Sequence, residues 1–235
     1  SRDEGKYGLD GDRFWVTIWD QDEEALNVLT KQIGMDPKHI VRLPRVENFW
    51  DTGQPGPAGP CAEWHYDRGP SYGPEAVGGT VDPGGDRYLE VWNLVFDQFM
   101  RGEGTGKDYP LLGELDKKAI DTGAGLERLA FVMQDKPNMY EIDEVFPVID
   151  AAMQMSGKRY GLGAAGPEAG AAYDDDVRMR VVADHVRSSL MLIGDGVRPG
   201  NDGRGYVLRR LIRRAVRSMR LLGVDEATMP TLLTA

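Results

Sequence analysis

The sequence predicts an α+β fold in which a sheet-containing part is followed by an all-helical part. Up to about residue 135, apolar residues alternate with polar ones or cluster with β-branched and aromatic residues, as they do in strands. After residue 174 they recur at the spacing of an α-helix instead. Because the composition changes between about 135 and 150, we predict two domains, residues 1–140 and residues 141–235.

Length and composition are those of an ordinary globular chain. The 235 residues are 41% hydrophobic and 28% charged, and no apolar run approaches the ~20 residues that a membrane helix needs. No membrane partner is therefore predicted. The first residues, SRDEGKYGLDGDRF, lack an initiator Met and the apolar core of a signal peptide. We expect the chain to be an internal piece of a longer protein.

The charge is unevenly distributed. The net charge is −10, yet residues 204–220 carry seven arginines and no acidic residue. Such a stripe indicates a local polyanionic partner, although a solvated helix face remains an alternative. The single cysteine, Cys61, excludes an internal disulfide and any multi-cysteine zinc site.

The first 85 residues begin with predicted strands and end in a predicted loop. Residues 13–20, RFWVTIWD, form a strand, and acidic residues at 20–24 cap a short helix that a glycine ends near Ile33. A second strand is predicted at 38–43. Glycine and proline dominate 51–85, so this stretch is mostly loop, with a short strand possible at 61–67.

A buried strand, a polar flap and a strand–helix junction are predicted next. The apolar run at 87–100 predicts the buried strand, and the residues at 101–116 predict a polar hairpin or flap. Residues 119–134 predict a strand that enters a helix through a glycine-containing turn. The low-complexity residues 161–173 predict a loop.

Two long helices are predicted in the last part of the chain. The acidic residues 174–176 are expected to cap the first helix and to place favourable negative charge in its first turn. Its predicted inner face consists of Val177, Val181, Val182, His185, Val186, Ser189, Leu190 and Ile193. His185 on this face is expected to be a core residue rather than a ligand. A glycine-rich loop at 194–205 precedes the second helix, whose predicted inner face consists of Leu208, Leu211, Ile212, Ala215, Val216, Met219 and Leu222.

The segment DTGAGLER at 121–128 has the composition of a nucleotide site. Small residues at 123–125 would let a planar group approach the backbone. Arg128, at the head of the following helix, could stack on a base and still reach a phosphate. The segment is neither a P-loop nor a dinucleotide fingerprint, because GK[ST] and GxGxxG are both missing.

This segment resembles motif 3 of class II aminoacyl-tRNA synthetases, at residues 121–129, in the form found in alanyl-tRNA synthetases. Four further segments resemble that family in the same order, and the similarity extends over nearly all of 13–223. These segments are NFWDTGQPGPAGPCAEWHYDRG (48–69), RYLEVWNLVFDQFMR (87–101), VVADHVRSS (181–189) and GRGYVLRRLIRRAVR (203–217).

The resemblance implies both a fold and an activity. Residues 1–140 would be the C-terminal part of an antiparallel-sheet aminoacylation domain, and 141–235 an all-helical tRNA-recognition domain. The activity would be ATP-dependent activation of alanine to alanyl-adenylate, followed by transfer to tRNA(Ala). The implied cofactors are ATP and Mg²⁺, the partners are alanine and the acceptor stem of the tRNA, and the location is cytoplasmic.

The resemblance also assigns the ATP-binding residues. Arg128 would stack near adenine and bind the γ-phosphate, and it is one of two expected catalytic residues. Gly123 and Gly125 would allow close approach of the nucleotide. Glu90 lies where this class places acids that hold Mg²⁺, and a carboxylate suits that ion. An exposed residue at a sheet edge is the alternative for Glu90.

The alanine site is expected to combine a carboxylate with bulky walls. Asp121, the second expected catalytic residue, would accept the α-ammonium group, and a helix cap is its alternative. Trp50, Asn93 and Val95 would line the pocket together with Gly123, although Trp50 could equally be core. Because one methyl is worth only about 1–3 kcal/mol of discrimination, glycine and serine should also enter the site. A separate editing domain fits this limit.

On the RNA side, Asn201 is expected to contact the G:U wobble pair by which the family selects its tRNA. An amide can donate and accept hydrogen bonds, which suits the exocyclic groups of a wobble pair. An ordinary turn asparagine is the alternative. The remaining expected tRNA-binding residues would contact phosphates; they are Arg204, Arg209, Arg210, Arg213, Arg214 and Arg217.

Other parts of such an enzyme are not found in the sequence. Motifs 1 and 2 and the editing domain, where the family's zinc ligands would lie, are missing, so this piece is expected to be weak or inactive alone. A non-catalytic module that binds the acceptor stem is the alternative function. An editing hydrolase is disfavoured, because the Cys61–His65 pair is better explained as structural than as a zinc site.

Overall fold

The computed structural model describes residues 7–75, 86–164 and 166–235. They form two compact units, one within 1–135 and the other within 136–235. Residues 76–85 of the predicted loop lie outside the described residues. In the described parts of the chain, no helix is long and apolar enough to cross a membrane.

The first unit is a sheet with two helices. Its strands are β1 (Phe14–Trp19), β2 (Ile40–Leu43), β3 (Phe49–Asp51), β4 (Gly56–Asp67), β5 (Tyr88–Arg101) and β6 (Leu111–Ala124). Its helices are α1 (Glu23–Asn27), which continues as a π-helical segment over Val28–Ile33, and α2 (Leu126–Met133), and its short 3₁₀ turns are Gly11–Arg13, Pro37–His39 and Pro70–Tyr72. Gly34 ends the π-helical segment in the left-handed conformation, as predicted.

The sheet is mostly antiparallel. Its strand order is β2-β1-β4-β5-β6, and β3 pairs with β4. Only β1 and β2 run parallel among the described strand pairs; the other neighbours are antiparallel. The predicted α+β class with an antiparallel-dominated sheet is therefore confirmed.

The alternation of side chains gives the sheet two different faces. Val16, Ile18 and Ala62 are buried on one face, where they form a core with Leu29 of the π-helical segment. Alternate residues of the same strands point to the opposite face. Thr17 and Glu63 are directly paired there, so this second face is polar.

Strand β4 begins earlier than the sequence predicts. It starts at Gly56 rather than at residue 61, because a register shift between Ala58 and Cys61 accommodates the glycine and proline residues. Gly59 is required there, since a β-carbon would stand 1.6 Å from the carbonyl oxygen of Phe96.

Two predictions for the following strands are wrong in detail. Strand β5 is mostly half-buried rather than buried, since Leu94 and Phe96 on its apolar face are only partly covered, as is Asn93 on its polar face. The flap predicted at 101–116 is shorter, since β6 already begins at Leu111. The strand-to-helix junction is confirmed: β6 ends at Ala124, and α2 begins at Leu126.

In the described residues the second unit consists of helices and connecting segments. Its helices are α3 (Phe146–Ser156), α4 (Ala171–Gly194), α5 (Gly203–Leu221) and α6 (Met229–Leu232), with 3₁₀ turns at Met139–Glu141 and Gly166–Ala169. The inner face of α5 is close to the prediction: Leu208, Ala215 and Met219 are buried within it, and Leu222 is buried just beyond its end.

Helix α4 differs from its prediction at the start and in its buried face. It begins at Ala171, so residues 174–176 do not cap it, although Asp174 lies in its first turn as predicted. Asp176 is instead buried and accepts hydrogen bonds from the backbone N–H groups of Gly161 (2.9 Å) and Gly163 (2.8 Å). Three residues of the predicted inner face are exposed, namely Val177, Leu190 and Ile193. The buried face is rotated toward Met179 and Ala183.

Candidate functional site

The polar face of the sheet gathers most of the predicted alanine-site residues. Asn93 of β5 lies directly opposite Gly123 of β6, and Val95 lies opposite Asp121. Because cross-strand partners point to the same side of a sheet, these four residues share one face. A β-carbon built on Gly123 would meet no described atom within 4 Å, so the space above this glycine is open.

Asp121 presents a carboxylate on this face. The side chain is exposed, and its Oδ1 accepts a hydrogen bond from the backbone N–H of Thr122 at 2.8 Å. Helix α2 has Gly125 as its N-cap and no side-chain cap, so Asp121 does not act as a helix cap. The second carboxylate oxygen is left to accept a donor from a ligand.

Trp50 lies on the neighbouring short strand. It pairs with Gly59 of β4 and is half-buried, so it is neither plain core nor fully exposed. Its backbone N–H contacts the buried Cys61, which lies opposite Val95. Burial raises the pKa of the Cys61 thiol to about 12, so this thiol stays protonated.

A buried charge cluster holds the flap between β5 and β6 against β3. Asp51 Oδ2 accepts hydrogen bonds from Lys107 Nζ at 2.8 Å and from the Tyr109 hydroxyl at 3.0 Å. The guanidinium groups of Arg45 and Arg101 lie 4.1 and 4.2 Å from the centre of the Tyr109 ring. Burial alone would raise the pKa of Asp51, but hydrogen bonds, chiefly from Lys107, lower it to about 2.

Arg128 and Glu90, the two residues predicted to meet ATP and Mg²⁺, form an ion pair. Arg128 donates to the Glu90 carboxylate at 3.0 Å and to the Glu90 carbonyl oxygen at 2.9 Å. Both side chains are more than one-third exposed, so the pair contributes little to stability and can open for a ligand. A β-carbon on Gly125 would stand 3.0 Å from the Arg128 side chain, so the glycine before this helix avoids a tight contact with that side chain.

Cys61 and His65 do not form a shared metal site. Both lie in β4, where four residues span about 13 Å at ~3.3 Å per residue, too far apart to share one ion. Among the described residues, no group of three or more His, Cys, Asp or Glu side chains is placed to hold a metal ion. His65 instead approaches the carbonyl oxygen of Tyr88 at 3.3 Å through Nδ1.

Helix α5 carries a basic groove in the second unit. The groove has a volume of about 610 Å³ and is lined by Asn201, Tyr206, Arg209, Arg210, Arg213, Arg214 and Arg217. All five of these arginines are exposed, and so is Arg204. Within the described parts of the chain, Arg204, Arg213, Arg214 and Arg217 form no ion pair. This side of the helix therefore presents unneutralised positive charge.

Asn201 stands at the edge of this groove in a tightly folded loop. Arg209 donates a hydrogen bond to its Oδ1, which leaves the Nδ2 group free to donate. The loop closes through a 3.0 Å hydrogen bond from the Gly200 N–H to the Gly205 carbonyl. Gly205 is needed, since a β-carbon would stand 2.7 Å from the Arg198 carbonyl oxygen.

Comparison with known proteins assigns the family. The sequence profile of the family described as tRNA synthetases class II (A) matches residues 4–235, which is almost the whole chain. The chain belongs to the class II tRNA synthetases. This membership agrees with the antiparallel sheet and with the glycine-rich strand–helix junction before Arg128.

Several alanine–tRNA ligases are similar to this class II synthetase chain. That of Kocuria rhizophila is 59% identical over 98% of the chain, and that of Salinispora tropica is 57% identical over 98%. The enzyme of Clavibacter michiganensis is 55% identical over the full chain. In each case the match covers 25% of the relative, so the chain spans about a quarter of the length of these curated relatives.

The structure brings some predicted site residues of this synthetase chain together and reveals others. Asn93, Val95, Asp121 and Gly123 form one patch, whereas Glu90 and Arg128 form a separate pair. Sequence reasoning missed Glu63, although the alternation in CAEWHYD, polar at every second residue, could have revealed it. It also missed the Asp51 cluster, whose members come from β3, β5 and the flap.

Proposed function

We propose that the chain supplies the amino-acid side of an adenylate-forming site and an RNA-binding helix to an alanine–tRNA ligase. That enzyme would activate alanine with ATP and transfer it to tRNA(Ala). The observation that carries this proposal is the placement of Asn93, Val95 and Asp121 on one sheet face, around the open space above Gly123. The similarity to alanine–tRNA ligases supports the choice of amino acid.

In this proposal the α-ammonium group of alanine binds the carboxylate of Asp121. A charge-assisted hydrogen bond of this kind is stronger than one between neutral groups. Val95 and the half-buried Trp50 would bound the space left for the methyl group. In that position their bulk would leave room for a one-carbon side chain and would exclude larger ones.

The nucleotide would lie beside the strand–helix junction. Arg128 would exchange its partner Glu90 for a phosphate, which a guanidinium binds at least as well as a carboxylate. Glu90 would then be free to hold Mg²⁺ through its carboxylate oxygens. The ion would neutralise phosphate charge, and Arg128 would orient the triphosphate so that the alanine carboxylate attacks the α-phosphorus and pyrophosphate leaves.

The second unit would bind the acceptor stem of the tRNA. The free arginines of α5 suit phosphate contacts, and Asn201 at the edge of the groove suits a base edge. We assign the aminoacylation part to residues 1–140 and the tRNA-recognition part to 141–235. Cytoplasmic localisation stays a prediction that rests on the family.

Alanine-dependent exchange between ATP and pyrophosphate tests this proposal directly. We expect exchange by the full-length protein that carries this chain, with alanine preferred over serine and glycine. A protein that is folded and shows no exchange with any of the three would contradict the proposal. The isolated chain should be weaker or inactive, since it spans a quarter of the relatives' length.

A second candidate is a non-catalytic module that binds acceptor stems. It is favoured by the position of the basic groove in a unit of its own, separate from the sheet. This function would give RNA binding without any alanine-dependent exchange. Measuring alanine-dependent exchange and acceptor-stem binding on the same protein therefore separates the two candidates.

A further inference from the structure

Glu63 occupies the centre of the polar face, and the proposed function does not use it. It lies directly opposite Thr17 of β1 on one side and directly opposite Asn93 of β5 on the other. Its side chain is 25% exposed, so it is largely removed from water. A carboxylate in such a place needs hydrogen-bond donors from its neighbours.

Those donors come from both neighbouring strands. Asn93 Nδ2 donates to one carboxylate oxygen of Glu63 at 3.5 Å, and the Thr17 hydroxyl donates to the other at 3.4 Å. His65 Nε2 lies 3.6 Å from that second oxygen. The strand register keeps these side chains adjacent, because directly opposed β-carbons are about 4.5–5.5 Å apart.

The carboxylate decides which way the Asn93 amide faces. An ionised carboxylate can only accept hydrogen bonds, so the NH₂ group of Asn93 must turn toward it and the Oδ1 must turn away. That Oδ1 is buried and has no hydrogen-bond partner among the described residues. A buried acceptor without a partner costs about 1–3 kcal/mol, which a ligand that donates a hydrogen bond would recover.

The neighbours of Asn93 indicate what that ligand is. Gly123 lies opposite Asn93 and leaves open space, and Asp121 is two residues along the same strand face. Two acceptors beside an open space suit a group that only donates. An ammonium group has N–H donors and no acceptor.

We propose that Glu63 is a positioning residue that fixes the Asn93 amide so that its Oδ1 accepts from the α-ammonium group of the amino-acid substrate. This inference rests on the proposed function, since it assigns one contact within the same site. Glu63 itself does not touch the substrate. It acts by excluding the flipped amide, in which NH₂ would face the ammonium group and repel it.

The test compares KM for alanine with KM for ATP in pyrophosphate exchange by the full-length protein. In Glu63→Gln the Asn93 NH₂ group no longer has to face residue 63, because a glutamine amide can pair with either the NH₂ group or the Oδ1 of Asn93. We expect KM for alanine to rise about tenfold, as for loss of a hydrogen bond to a charged group, and KM for ATP to stay within about twofold. Glu114→Gln, the same change at an exposed position of β6, should alter neither value.

Exchanging the carboxylate of residue 63 and the amide of residue 93 distinguishes a positioning role of Glu63 from a merely structural one. Asn93→Asp alone sets two carboxylates side by side and should weaken alanine binding at least as much as Glu63→Gln. Together the two substitutions again pair one amide with one carboxylate, and the second oxygen of the new carboxylate faces the ligand. We expect the double variant to recover KM for alanine to within about threefold of the wild type.

Several results would overturn the inference. An unchanged KM for alanine in Glu63→Gln, a parallel rise in both KM values, or a double variant no better than either single one would overturn the inference. No alanine-dependent exchange by the wild type would overturn the proposed function and this inference with it. If Glu63→Gln does not fold, Glu63→Asp decides. Because the shorter acid reaches Asn93 less well, KM for alanine should rise about threefold while KM for ATP stays unchanged, and no rise in KM for alanine would overturn the inference.

Discussion

The polar face of the sheet and the basic face of α5 carry their charges in opposite ways. Beside the sheet face, charges of both signs are paired: Glu90 with Arg128 and Asp51 with Lys107. The face itself carries the carboxylates of Glu63 and Asp121. On α5 most arginines have no acidic partner in the described residues. Paired charges of both signs suit a small zwitterion that must be held in one orientation, whereas unpaired charge of one sign suits a polyanion.

Each region also contains an asparagine whose amide is oriented by a charged neighbour. Glu63 holds the NH₂ group of Asn93, so an acceptor is left over. Arg209 holds the Oδ1 of Asn201, so a donor group is left over. The charge of the neighbour thus determines whether the amide presents its oxygen or its NH₂ group to a ligand. We expect a hydrogen-bond donor to bind at Asn93 and a hydrogen-bond acceptor to bind at Asn201.

The largest expected effect is the loss of the carboxylate on the sheet face. Asp121→Asn should raise the dissociation constant for alanine by about 10- to 100-fold, since a hydrogen bond to a charged group contributes about 1.5–3 kcal/mol. Titration calorimetry with alanine and with ATP measures both affinities. Equal losses for the two ligands would remove Asp121 from the amino-acid site and weaken the contrast between the regions.

A smaller effect is expected at the asparagine of the groove. Asn201→Ala should erase a preference of about 1–3 kcal/mol for an acceptor stem with a G:U pair over one with a Watson–Crick pair. Binding of the two stems at one salt concentration measures this preference. A variant that still discriminates would place the base contact elsewhere.

The arginines of α5 should act through charge alone. Replacing Arg213 and Arg217 with alanine should weaken binding of every RNA stem by a similar factor and reduce the salt dependence of the affinity. Affinities measured across a salt series give the slope. A change in base preference instead would contradict a role limited to phosphate contacts.

The smallest expected effect concerns the paired charges between β3 and the flap. Because the folded-state pKa of Asp51 is lowered to about 2, its contribution to stability is present above pH 4 and is lost as the pH falls from about 4 toward 2. After allowance for solvent screening, we expect a loss of about 1 kcal/mol. Urea unfolding at pH 5 and pH 2.5 measures it, and Asp51→Asn should show a smaller loss over this range. An equal loss in both proteins would contradict the role of this carboxylate.

Much of the fold could be predicted because its elements carry local patterns. Strand β1 alternates, Gly34 ends the first helix, and the glycine turn before Leu126 separates β6 from α2. The start of β4 could not be predicted, because glycine and proline normally indicate a loop. The close approach of Gly59 to Phe96 explains the glycine at position 59, and that contact joins distant parts of the chain.

The candidate site was predictable only in part for the same reason. Residues 121–128 form one continuous motif, and their neighbours in β5 follow from the strand pattern. The Asp51 cluster depends on contacts between β3 and the flap, which no local pattern reports. Asp176 was misassigned as a cap because its loop partners, Gly161 and Gly163, precede it by more than a helical turn.

We propose that the sheet face activates the amino acid while the helix face binds RNA. Alanine-dependent pyrophosphate exchange, a reaction that needs no RNA, tests this most directly when Asp121→Asn is compared with the Arg213→Ala/Arg217→Ala variant. We predict that Asp121→Asn loses at least nine-tenths of the exchange rate at low alanine, by the tenfold effect expected of this charged contact, and that the arginine variant retains the wild-type rate. Equal losses of exchange in the two variants would contradict the claim.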